Sequence, residues 1–183
     1  DWDRLVDTIA GSIFYNAGQA CTAGSRVVVH EPVHERLVAD LVAKTASWMP
    51  GDPLVATTQM GAIASRGQLD GIVSKLAANR SGTVVAGGRV VSPVEGGFYL
   101  EPSIIDGVDN NSLLAQQEVF GPVLTISTFR DEAEALRMAN RACGQTVYEW
   151  VVVSQNGQPV RASCGLYMEP TQSLATLRPP DML

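Results

Sequence analysis

One cysteine stands in a setting that suits chemistry. Cys21 lies within "FYNAGQACTAGSR", residues 14–26, between a Gly-Gln pair and a run of small residues. An isolated free cysteine is by default a small core hydrophobe. Here Asn16, Gly18, Gln19, Ala20, Thr22, Ala23, Gly24 and Ser25 make a loop of mostly small side chains. Such a loop lets backbone amides approach a reacting carbonyl and the oxygen that becomes negative on attack. A nucleophilic cysteine also needs thiolate character, which local dipoles or amides supply even without a histidine base. His30 and His34 are the only histidines, and His34 is expected on the polar face of a helix, so a Cys-His protease pair is unattractive. A cysteine acyl-transfer enzyme would likewise need a base that the chain does not display. Cys21 is therefore read as a nucleophile for a carbonyl carbon.

The elements that must position this thiol follow from periodicity. "RLVDTIAGSIFYNAG" places Leu5, Ile9, Ile13 and Phe14 at helical spacing, with Gly18 as a stop, so Cys21 is expected just beyond a helix C-terminus. "SRVVVHEP" reads as a buried strand, and "PVHERLVADLVAKTASW" as a helix with Leu37, Val38, Leu41 and Val42 on one face and Pro32 in its first turn. "MPGDPLVATTQMG" has the turn formers of a long surface connection, and the next helix lines up Leu69, Ile72, Val73 and Leu76. "TVVAGG" and "GFYLEPSII" read as strands, and "DNNSLL" as a turn opening a short helix. "PVLTISTF" alternates Val123, Thr125 and Ser127 against Leu124, Ile126 and Thr128; Asp131 then offers an N-cap to "EAEALRMAN". Alternating strands and helices predict a layered α/β fold, a largely parallel sheet flanked by helices.

Composition narrows the class further. A chain of 183 residues, 45% hydrophobic, is enough for one buried core. The net charge of -6 and the lack of a Lys/Arg cluster exclude a nucleic-acid surface. No apolar run approaches the roughly 20 residues that span a bilayer, and the acidic "DWDRLVDTIAG" lacks the basic start of a signal peptide. Cys21, Cys143 and Cys164 show no metal-ligand spacing and leave an odd thiol, which fits a reducing, cytoplasmic setting.

Four blocks in order together resemble the aldehyde dehydrogenase superfamily. "FYNAGQACTAGSR" is similar to its cysteine signature, "GDPL" with "TQMGAI" to the loop that follows, "GGFYLEPSII" to its Gly-x-Phe/Tyr-x-x-Pro-Thr strand with Ser103 in place of Thr, and "QEVFGPVLTISTFRDEAEALRMAN" to its Glu-x-Phe-Gly-Pro-Val block. The resemblance covers about residues 1–140, and its flavour is closest to enzymes of aminoaldehydes, semialdehydes or betaine aldehyde. It implies that Cys21 attacks an aldehyde to give a thiohemiacetal, that hydride passes to NAD or NADP, and that water hydrolyses the thioester. It also implies that the Cys21 amide serves the oxyanion hole. Glu118 matches the position that hydrogen-bonds the nicotinamide ribose, and Phe120 the aromatic at that end of the cofactor. A small aldehyde is the implied substrate, and a homo-oligomer the implied state of the full-length family member.

Against the family, two things differ. The acid/base glutamate, the oxyanion-hole asparagine and nearly all of the cofactor-binding fold precede the cysteine there by more residues than this chain holds. "VVAGGRV" is no substitute for a Gly-rich phosphate loop. The expectation is a partial catalytic domain over 1–140, inactive by itself, with a truncated, catalytically silent structural or interaction module as the alternative. Residues 141–183 then diverge: "CGQTVYEWVVVSQ" and "SCGLYM" stand where the family has a strand ending Val-Trp-Ser/Thr-Arg and, later, Ala-Gly-Thr-Val-Trp. Codons allowed for "VVSQ" and "SCGLYM", read one nucleotide on, can give Trp-Ser-Arg and Ala-Gly-Ser-Ile-Trp. The tail is thus expected to be a frameshifted reading that begins near 141–144. Sequencing the encoding DNA should reveal a family-like translation in another frame; its absence would sink the idea.

Overall fold

The computed structural model describes residues 1–142 and four two-residue strands, Val153–Ser154, Val160–Arg161, Tyr167–Met168 and Gln172–Ser173. The chain divides into two compact units, Asp1–Gln145 and Thr146–Leu183. Apart from those short strands, the reading of 141–183 as a shifted frame lies outside the described residues, as do Cys143 and Cys164.

Helix α1 (Trp2–Phe14) starts where the Asp1 side chain accepts from the Arg4 amide at 3.2 Å, the usual carboxylate cap for an orphan N–H. It buries Val6, Ala10, Ile13 and Phe14, a stripe at spacings of three and four. The expected stripe through Leu5 and Ile9 is displaced by one position. Ile13 and Phe14 are both fully buried and set the helix rotation; Leu5 then falls more than a quarter turn away and is 42% exposed. A 3₁₀ turn, Tyr15–Gly18, ends the helix.

Strand β1 (Arg26–His30) leads directly into α2 (Glu31–Lys44), which has Pro32 in its first turn and buries Leu37 and Leu41 with Val38 and Val42 beside them. A second 3₁₀ turn, Thr45–Trp48, opens a loop that runs to α3 (Arg66–Ala78), whose Leu69 and Ile72 are buried and whose Val73 faces outward. Next come β2 (Thr83–Ala86), β3 (Val90–Val91), β4 (Tyr99–Leu100) and β5 (Ser103–Asp106). "GFYLEPSII" is therefore two strands rather than one. Pro102 has no N–H to give a ladder, and the chain changes partner there: β4 pairs with β3, and β5 joins the main sheet. The short α4 (Leu113–Gln116), strand β6 (Val123–Phe129) and α5 (Glu132–Ala142) complete the first unit, with Asp131 Oδ1 accepting from the Glu134 amide at 2.8 Å.

The main sheet has the order β1-β6-β5-β2; β1 and β5 both run parallel to β6, and β2 is antiparallel to β5. The largely parallel α/β class is what alternation in the sequence predicts. β6 shows no in/out alternation over Val123–Ile126, where every residue is buried. It is an inner strand, and α1, α2 and α5 pack on it; a parallel strand covered on both faces need not alternate. In the second unit, β7 (Val153–Ser154) pairs parallel with β10 (Gln172–Ser173), and β8 (Val160–Arg161) antiparallel with β9 (Tyr167–Met168). No helix among the described residues is long and apolar enough to cross a membrane.

The rotation of α1 is open to a direct comparison. Ile13→Ala should cost about 2–5 kcal/mol through lost burial and a cavity. Leu5→Ala should stay within about 0.5 kcal/mol, as an exposed substitution does. Urea unfolding of both variants reads the difference, and equal losses would contradict the observed face.

Candidate functional site around Cys21

The turn before the thiol is left-handed over three consecutive residues: Asn16 at φ 50°, Ala17 at φ 52° and Gly18 at φ 68°. Each non-glycine residue in that region costs about 1–2 kcal/mol, so the surroundings must hold it. Asn16 tolerates the conformation best, and its Nδ2 donates to the Gln19 carbonyl at 2.9 Å while the Gln19 amide donates to the Asn16 carbonyl at 3.0 Å. Ala17 is buried at 2% exposure, which keeps water from competing for the turn. Beyond it, Ala23 N bonds to Ala20 O, Gly24 N to Ser12 O and Ser25 N to Ala23 O. These bonds tie the loop to itself and to α1. Cys21 sits at the top, exposed, and among the described residues its thiol makes no hydrogen bond.

The second motif folds against the first. Phe120 takes φ 57°, the other non-glycine residue held left-handed among those described. A Cβ built on Gly18 would lie 2.0 Å from the carbonyl oxygen of Gly121 and 2.8 Å from the nitrogen of Pro122. The two turns therefore touch backbone to backbone at a place where no side chain fits. Strands β1 and β6 are adjacent and parallel, and the cysteine loop enters the first as the Glu118–Pro122 turn enters the second. Both loops consequently lie at the amino ends of neighbouring strands, whereas open α/β sheets commonly bind ligands at the carboxyl ends.

Three further bonds fix this arrangement. Ser25 O accepts from Thr125 N at 3.0 Å and from Thr125 Oγ1 at 3.2 Å, which pins the exit of the cysteine loop to β6. Ser103 N donates to Pro122 O at 2.8 Å, which pins the second turn to β5. Ser103, the residue that replaces the resembling family's Thr, is fully buried; its Oγ donates to Glu101 O at 2.7 Å and accepts from Gly88 N at 2.9 Å. Its hydroxyl thus serves the backbone, which needs only the oxygen that Ser and Thr share.

Of the predicted site residues, the structure brings the loop of Cys21 into contact with the turn that carries Glu118 and Phe120. Glu118 is exposed and Phe120 half-buried. Among the described residues no bond joins the Cys21, Glu118 and Phe120 side chains to one another; the backbones that meet are those of Gly18 and Gly121–Pro122, in the same two loops. Sequence reasoning missed Gln68 and Lys75 of α3, whose side chains donate to the carbonyls of Phe120 and Glu118, and the role of Gln19, whose Oε1 accepts from Ala64 N at 3.0 Å. "SRGQ" at 65–68 has the Ser-x-x-Gln spacing of a helix start, but nothing local to it points fifty residues ahead. A cleft of about 400 Å³ bounded by Gly107–Asn110, Ser127, Thr128, Glu134, Arg137 and Met138 takes no residue from either site loop.

An α/β domain with an exposed cysteine three residues beyond a left-handed turn, in backbone contact with a second turn that carries a carboxylate and an aromatic ring, is what fold and site define. The aldehyde dehydrogenase family matches residues 1–148, and the chain belongs to it. Aminoaldehyde dehydrogenase 2 of Zea mays is 37% identical over 142 residues, which are 76% of this chain and 28% of that protein. The solved γ-glutamyl-γ-aminobutyraldehyde dehydrogenase of Burkholderia cenocepacia superposes with a TM-score of 0.74 at 40% identity, over 84% of this chain and 30% of that one. An indole-3-acetaldehyde dehydrogenase solved with NAD+ gives a TM-score of 0.72 at 37% identity, over 76% of this chain and 29% of that one. The chain thus spans less than a third of the length of each of these relatives.

The backbone contact predicts that Gly18→Ala cannot be accommodated in place. The added methyl meets the Gly121 carbonyl, and the left-handed φ alone costs about 1–3 kcal/mol. Urea unfolding should show a loss of at least that size, with a shift in Cys21 alkylation rate; a variant of parental stability and reactivity would mean that the two turns are not in contact.

Proposed function

We propose that residues 1–140 are the thiol-bearing part of an NAD(P)-dependent aldehyde dehydrogenase, which oxidises a small aldehyde to a carboxylic acid. The observation that carries the reading is the contact of the Cys21 loop with the Glu118–Pro122 turn through Gly18. It supports reading the two loops as parts of one site, with Cys21 on one and Glu118 and Phe120 on the other. Sγ of Cys21 would form a bond to the aldehyde carbon, and the Cys21 amide would support the oxygen that becomes negative. Glu118, exposed, would accept the ribose hydroxyls, and Phe120, half-buried on a rigid turn, would bound the same end of the cofactor. A nicotinamide cofactor held there would supply the acceptor for the hydride of that carbon. Water then cleaves the thioester at Cys21 and frees the thiol, so one sulfur acts first as nucleophile and then as leaving group. Names of relatives that act on aminoaldehydes and on γ-glutamyl-γ-aminobutyraldehyde support a polar or amine-bearing aldehyde.

The 183 residues by themselves are proposed to be inactive. Deacylation needs a positioned base, worth typically 10²–10⁴-fold, and placing the reactants accounts for about 7–11 kcal/mol of such a barrier. The sequence supplies no Gly-rich phosphate turn at a helix N-terminus to hold the dinucleotide. Two measurements test the reading together. Iodoacetamide should modify Cys21 faster than Cys143 and Cys164 in the folded chain, with Cys21→Ser leaving the fold intact. Short aldehydes with NAD or NADP should give no reduced cofactor above a Cys21→Ser control. Slower alkylation at Cys21 would count against the nucleophile, and clear turnover would overturn the claim that the isolated chain is incomplete.

A further inference from the structure

Helix α3 reaches both halves of the site. Gln68 Nε2 donates to the Phe120 carbonyl at 2.8 Å, and Lys75 Nζ donates to the Glu118 carbonyl. Residues seven apart lie on one helix face two turns along, so the 118–120 segment is gripped near each end from one rigid side. Ile72, between them in sequence, is buried, and a Cβ on Gly121 would lie 2.5 Å from its Cδ1. Two residues before this helix, Ala64 N donates to Gln19 Oε1 of the cysteine loop.

The use of Gln68 is telling. Ser65 Oγ accepts from the Gln68 amide at 3.2 Å, one half of a Ser-x-x-Gln capping box. The other half would turn the Gln68 side chain back to the Ser65 amide, but that side chain is engaged with Phe120 fifty-two positions away. Phe120 is held in the left-handed region. Leaving that region requires the neighbouring peptide planes to rotate, and rotation of the plane that follows Phe120 breaks its bond to Gln68. A strained turn persists only where its surroundings over-determine it, and two side chains of α3 are among those surroundings, on the carbonyls of Glu118 and Phe120.

We propose that Gln68 and Lys75 are positioning residues: they hold the strained course of Glu118–Phe120 and thereby the presentation of the Glu118 carboxylate and the Phe120 ring. The proposal rests on the reading that these two groups meet the cofactor, and it makes α3 the brace that couples their turn to the Cys21 loop.

The test uses the 183-residue chain and amide hydrogen exchange, with residues 119–121 resolved from α1 and β5. Gln68→Met and Lys75→Met keep the length of each stem and remove the donor. In the double variant, amides 119–121 should exchange about tenfold faster or more, with α1 and β5 at the parental rate. Lys75→Arg, which restores a donor, should recover the parental rate at residue 119. Alkylation of Cys21 should also shift about threefold or more, because Gly18 rests on Gly121. Unchanged exchange at 119–121, an equal rise everywhere, failure of Lys75→Arg, or an unaltered Cys21 rate would each overturn the assignment. The cofactor reading fails separately: nicotinamide mononucleotide, titrated to a concentration that shifts backbone resonances of the chain, should move those of Glu118–Phe120, and shifts confined to other segments would remove the cofactor from the turn, whatever the exchange data show.

Discussion

The site depends on one close approach of two backbones. Gly18 lies so near Gly121 and Pro122 that even a methyl group would overlap the Gly121 carbonyl. Side chains normally keep backbones further apart, and only glycine combines a left-handed φ with the absence of a Cβ. The left-handed run at Asn16–Gly18 and the left-handed Phe120 are the two ends of this contact. Strain at each is repaid by neighbours: an Asn side chain on the first turn, a Gln and a Lys on the second.

Sheet topology explains why these loops meet. β6 is an inner strand with β1 on one side and β5 on the other, all three parallel. The segments that enter parallel neighbours must lie at one edge of the sheet, so the cysteine loop, the Phe-Gly-Pro turn and the Glu101–Pro102 break are brought to a common edge. The bonds from Thr125 to Ser25 and from Ser103 to Pro122 then fix the loops to the strands beside them. The dense burial of Val123–Ile126 makes β6 a rigid rod for both loops.

Each motif in the chain looks different once this edge is seen. Cys21 is exposed at the tip and, among the described residues, unbonded, while its loop is tied down on either side by amide-to-carbonyl bonds. Such division of labour is common where a reactive group needs access and its support needs order. Glu118 contributes its carbonyl to the brace and leaves its carboxylate outward. At Ser103 the hydroxyl oxygen alone forms the two side-chain bonds made there, to Gly88 N and Glu101 O.

Periodicity and turn chemistry, both short-range, were enough to read the α/β class, the strands through Val27–Val29, Val84–Ala86 and Val123–Ile126, the helices between them and the position of Cys21 just past a helix end. Local patterns could not choose between Leu5 and Val6 as the buried side of α1, because Ile13 and Phe14 decide that rotation only by what they pack against. Nor could they split "GFYLEPSII", since Pro102 becomes a break only when β4 and β5 find different partners. Motifs quoted side by side likewise did not say that Gly18 would lie on Gly121, or that Gln68 would leave its own helix start to hold Phe120. Residues far apart in the chain set these features, through packing that exists only once the sheet has assembled, whereas the spacing of apolar residues along one segment is written in that segment.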